Sequence, residues 1–139
     1  MTRIATLLLG ASLIAAATAA PSLAEGVIRA AVLRVDSPDL PPISRLDALP
    51  DDLGFAGAEL ATQDNATTGQ FMGQSFETET RAVHEDEAIA ALDEILGDGV
   101  RFVAVLAGDE TMLALADHAS RTAPDALLFN AAAGGDNLR

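Results

Sequence analysis

The chain has no cysteine, no tryptophan and no tyrosine among its 139 residues. Without cysteine it can form no disulfide, offer no thiol nucleophile and build no thiolate metal site. Aromatic residues make up 4% of the sequence against 50% hydrophobic residues overall, so a core has to be assembled from Ala, Leu, Val and Ile. Positive charge is scarce as well: 8 Lys and Arg face 21 Asp and Glu, for a formal net charge of −13. Basic surface supplies most of the affinity for nucleic acid, so no nucleic-acid partner is expected. The excess acid keeps the surface solvated and names no partner of its own.

Signatures of catalysis and cofactor binding are missing too. No Gly-x-Gly-x-x-Gly follows the first apolar strand, and there is no phosphate-binding P-loop. No Gly-x-Ser-x-Gly marks a serine nucleophile. His84 and His118 are far apart, with no cysteine or spaced acidic motif to join them into a metal site. The acids Glu77, Glu79 and Glu85-Asp86-Glu87 read as a solvated strand face and a helix start. The chain is therefore expected to be neither an enzyme nor a cofactor carrier.

One long apolar run is present, and it stands at the front. Met1-Thr2-Arg3 is a short basic start, Ile4 to Ala17 is almost wholly apolar, and Ser22-Leu23-Ala24 precedes Glu25-Gly26. That order is the order of a cleavable secretory signal peptide. The run is about 14 residues, short of the roughly 20 that a bilayer-spanning helix needs. Cleavage is expected after Ala24, with Ala19 or Ala20 as alternatives. Residues 1–24 are thus expected to leave, and 25–139 to remain in the periplasm with no membrane insertion after cleavage.

Along that remainder, Val27 to Val35 is β-branched and aliphatic, as strands are. Three prolines between Asp36 and Pro50 deny that stretch regular structure. Leu53, Ala56, Gly57, Leu60 and Ala61 then recur at helical spacing, to about Asp64, with Asn65 to Gly69 as the expected stop. Gln74 to Val83 alternates as a half-buried strand. A second helix is expected from Asp86 to Leu96 on Ala88, Ile89, Leu92, Ile95 and Leu96. Val100 to Ala107 is a buried strand by composition. A third helix runs to Arg121 on Met112, Leu113, Leu115, Ala116 and Ala119, and Ala126 to Phe129 is a fourth strand. Asn130 to Arg139 is expected to be a loop.

Such alternation predicts an α/β fold, a three-layer doubly wound parallel sheet. Ending on a strand and a loop, it is expected to be an incomplete lobe in which one sheet face lacks its cover. In sheets of this kind ligands bind beyond the carboxyl ends of the strands. Two of those ends are rich in small residues and amide or hydroxyl groups. Ala107, Gly108, Asp109, Glu110 and Thr111 form the first, and Asn130, Ala131 and Ala132 the second. These eight residues are the candidate ligand contacts.

Gly57-Ala58-Glu59-Leu60-Ala61, followed by Asp64 to Gly69 and Gly73-Gln74, resembles the type I periplasmic solute-binding proteins of ABC transporters, the branched-chain amino acid receptor type. Gly99 to Val103, Gly108 and the alanine-rich helix after it fit the same pattern. Leu128-Phe129-Asn130 and Asp136 to Arg139 look like a subgroup associated with PQQ-dependent alcohol oxidation. The resemblance implies two α/β lobes around a ligand cleft, of which residues 25–139 would be the first part of the first lobe. It implies a small-molecule ligand and an ABC permease as partners. Two features depart from the family: the proline-rich loop after the first strand, and Asp109-Glu110, where amino acid binders tend to carry Ser and Gly. Two acids there disfavour a carboxylate ligand. The alternatives are a single-lobe adaptor for a partner protein and a periplasmic enzyme on a flavodoxin-like sheet.

Overall fold

In a computed structural model the described residues are 26–37, 44 and 48–138. The expected signal peptide and most of the proline-rich loop lie outside them. Four strands and three helices alternate: β1 (Gly26–Asp36), α1 (Phe55–Met72), β2 (Gln74–His84), α2 (Ala88–Gly97), β3 (Phe102–Leu106), α3 (Asp109–Thr122) and β4 (Leu127–Asn130). Short 3-10 turns at Glu85–Glu87 and Asp136–Leu138 complete the described elements. The fold is α/β, with one all-parallel sheet in the order β2-β1-β3-β4.

Alternation along the strands decides which helix meets which face. In β1, Ala31, Leu33 and Val35 point to one side, where Val103 and Val105 of β3 join them in register. Against that side α2 packs Ala88, Ala91, Leu92, Ile95 and Leu96, and α3 packs Met112, Leu115 and Ala119. Both sets follow the three-and-four spacing of a helix stripe. Ile89 and Leu113, expected in those stripes, face outward, at 43% and 39% exposure. This is the core of the molecule, and it is aliphatic. At its amino-terminal margin Arg101 bonds Asp125 at 2.7 Å, and that hydrogen bond holds the Asp125 carboxyl below the usual aspartate range.

α1 lies on the other face, over β2. Thr62 Oγ1 donates to Thr78 Oγ1 at 2.7 Å, and Gly69 is buried against the Gln74 carbonyl and the Phe76 ring. Two expectations for this helix fail. It does not stop at Asn65 but runs on to Met72, because the polar residues read as a stop bond to their own helix. Asn65 Nδ2 donates to the Ala61 carbonyl at 2.9 Å and Thr67 Oγ1 to the Gln63 carbonyl at 3.2 Å. The helix ends at Gly73, whose positive φ of 66° leads directly into β2. The stripe is also turned around. Ala58, Thr62, Ala66 and Gly69 are the side held to the sheet, whereas Leu60 is 60% exposed.

Candidate functional site

Consecutive connections set off in opposite directions from β1: β2 lies to one side of it, and β3 and β4 to the other. The strand order therefore reverses between β1 and β3. A crevice at such a reversal, beyond the carboxyl ends, is where open parallel sheets hold ligands. Here its walls begin at Asp36-Ser37 and at Ala107-Gly108.

On the β1 side a cation is fixed in place. Arg34 Nε donates to Asp36 Oδ1 at 2.9 Å, Nη1 donates to the Asp51 carbonyl at 2.8 Å, and the guanidinium lies 4.9 Å from the Phe55 ring centroid. Arg34 thus ties the end of β1 to the entry of α1. Next to it, Ser37 Oγ donates to Glu85 Oε1 at 2.5 Å, joining β1 to the turn after β2.

On the β3 side Ala107 is buried and Gly108 exposed. Gly108 precedes α3 and brings no side-chain cap to its first amides. Asp109 reaches across to the segment after β4. Its Oδ1 accepts from the Gly134 and Gly135 amides, both at 3.1 Å. A Cβ on Gly135 would lie 2.2 Å from Asp109 Oδ2, so glycine is what lets the two segments close up. Asn130 stabilises its own turn: Oδ1 accepts from the Ala132 and Ala133 amides at 3.2 and 2.8 Å, while Nδ2 donates to the Ala133 carbonyl at 2.7 Å. Ala131 extends the ladder by donating to the Val105 carbonyl at 2.9 Å.

The two candidate segments are thus brought together at one edge. Their side chains do different things there. Asp109 and Asn130 are engaged with backbone, and exposed Ala131 and Ala132 present a small-residue surface. Glu110 and Thr111 line a shallow cleft of about 220 Å³ with Glu85 and Ile89, between the starts of α2 and α3. The edge is acidic: Asp36, Glu85, Asp109 and Glu110 gather there, with Arg34 held by Asp36. An anionic solute meets repulsion at such an edge.

Sequence reasoning missed the Asp109–glycine tie, although Gly134-Gly135 after a run of small residues was its signal. Replacing Asp109 with alanine should leave the fold intact, at a cost of about 1 kcal/mol or less. It should also speed amide exchange at Gly134 and Gly135 by up to about fivefold, the factor that 1 kcal/mol corresponds to. Unchanged exchange at both glycines would show that the tie does not form in solution.

Among the described residues no three or more His, Cys, Asp or Glu side chains come close enough to share a metal ion. His118 Nε2 lies 2.7 Å from Asp93 Oδ1, a bridge between α3 and α2 well away from the crevice. No described helix is long and apolar enough to cross a membrane. No protein-family model matches the chain, and no curated protein is significantly similar to it.

Proposed function

We propose that the chain is the solute-binding component of an ABC importer, exported to the periplasm, with residues 25–139 supplying first-lobe structure to a two-lobed receptor. The observation that carries this reading is the reversal of strand order between β1 and β3, with the Gly108 and Asn130 segments gathered beside it. The resemblance at Gly57 to Gln74 and at Leu128 to Asn130 supports it, as does the form of residues 1–24. The receptor works by binding, closing and docking on a permease, and no bond is made or broken. The acidic edge favours a neutral or cationic small polar solute. The subgroup resemblance points to solutes linked with PQQ-dependent alcohol oxidation. Residues 107–111 and 130–132 form one wall of the cleft, through backbone amides and small side chains.

Two measurements test this. Expression of the full chain with periplasmic extraction should give a product that begins at Glu25; a product still starting at Met1 and found only inside the cell would rule out export. Amide-resolved NMR during titration with short alcohols should move the signals of Gly108, Thr111 and Asn130 to Ala132, whereas their carboxylates and leucine should move them less. Affinity should be no better than millimolar, because a cleft ligand is buried by both of its walls. Shifts confined to other surfaces would exclude this edge as the site.

A further inference from the structure

The three helices are not held to the sheet equally. α2 buries five of its 10 residues and α3 three of its 14. α1 is the longest, with 18 residues, and the one it buries is Gly69. Among the described residues, none in the core cluster and none packed against it belongs to α1. What meets the sheet is a side of small residues, Ala58, Thr62, Ala66 and Gly69, with one hydroxyl pair, Thr62 to Thr78 at 2.7 Å. Few buried apolar groups and many exposed backbone hydrogen bonds mark a segment that opens ahead of the rest of a fold.

Both ends of α1 are built to turn. Of the three glycines with positive φ among the described residues, two flank this helix: Gly54 at 83° and Gly73 at 66°. Glycine enters and leaves that region without the penalty a Cβ brings. Gly54 stays seated on β3, since a Cβ there would lie 2.7 Å from the Leu106 side chain. Beside it stands one clasp. The Arg34 side chain is 15% exposed, and its Nε and Nη2 donate to the two carboxylate oxygens of Asp36. Its Nη1 donates to the Asp51 carbonyl ahead of the helix, and its guanidinium lies over the Phe55 ring in the first turn. Arg34 belongs to β1, so the clasp reaches past β2 and fastens α1 to a strand inside the sheet.

We propose that α1 opens from the sheet as one unit, pivoting at Gly54 and Gly73, with Arg34 as its latch. The rest of the fold stays closed meanwhile, because the aliphatic core lies on the opposite face and receives nothing from α1. Off the sheet α1 does not keep its helix. Gly57, Asn65, Thr67, Thr68 and Gly69 are poor helix formers, and isolated helices of such sequence are marginal in water. Opening and local unfolding are therefore one event, and the amides of α1 are released together. The latch carries that event to the crevice. Arg34 also fixes Asp36 at the β1 wall, so release of α1 loosens the wall, and a hold on the wall keeps α1 down. The opening needs no solute, so it stands or falls apart from solute binding.

Native-state hydrogen exchange on the full chain reads this directly. The amides bonded within α1 should share one opening constant, at least about tenfold larger than that of Leu33, Leu92 and Leu115 in the core. Two variants separate local opening from global unfolding. Ile95→Val, in the core on the opposite face, should raise the core constant about fivefold and leave that of α1 unchanged. Arg34→Ala should raise the α1 constant about tenfold, through the lost hydrogen bond to Asp51 and the lost ring contact. The absence of native cysteine allows a third test. Thr62→Cys with Thr78→Cys, once oxidised, pins α1 to β2 and should bring the α1 constant down to that of the core. Equal constants for α1 and the core in the parent chain overturn the proposal. So does an α1 constant that follows the core in Ile95→Val, or one that ignores the pin. An α1 constant unmoved by Arg34→Ala overturns the latch.

Discussion

Leu33→Ala should lower the free energy of unfolding by about 3 kcal/mol, within the range seen for leucine truncation in well-packed cores. Leu33 is 0% exposed on β1, which is paired on both sides, by β2 and by β3. Its neighbours set the size of the effect. Of the 16 residues in the core cluster six are alanine, and alanine has no rotamers with which to fill a void. The cavity therefore stays open, and its cost adds to the lost transfer energy. A domain of this size has a total margin of about 5–15 kcal/mol, so this one change removes a large share of it. Urea unfolding followed by circular dichroism measures it, as a lower midpoint at unchanged slope. Leu60→Ala, on the exposed side of α1, is the comparison and should cost well under 1 kcal/mol. Equal losses for the two variants would mean that the sheet faces are assigned the wrong way round.

Two glycines of α1 should respond with opposite signs. Gly69→Val places a Cβ 2.5 Å from the Gln74 carbonyl oxygen and 2.8 Å from the Phe76 ring. The ring can rotate, but the carbonyl belongs to the first residue of β2, which is in register with Gly26. The helix has to lift, and a cost of about 2–3 kcal/mol is expected from overpacking. Gly57 has nothing within 4 Å of its virtual Cβ. Gly57→Ala should therefore gain up to about 1 kcal/mol from helix propensity alone. Thermal melts of the two variants check this, and a stabilised Gly69→Val would show that α1 does not dock as described.

Much of this architecture is legible in the residues. The apolar strands and the Gly-Asp-Gly and proline breaks placed all four strands within two residues of their observed ends, because those signals are local. The core stripe of α2 was legible for the same reason, Ile89 apart. α1 was misread because its packing is not local. Leu60 looks like a core residue until β2 presents Thr78 and Phe76, against which Thr62 and Gly69 fit better. The carboxyl-end turns were found by rule, since parallel strands place them together. What Asp109 does there was not, because its partners Gly134 and Gly135 are 25 and 26 residues away.

The position of β1 has a consequence for assembly. The first of the described strands lies inside the sheet, with β2 added on one flank and β3 then β4 on the other. Each strand arrives at an edge that is still open, and none has to be threaded between two that are already paired. A chain emerging from the ribosome or from a translocation channel can therefore build this sheet in the order in which its residues appear.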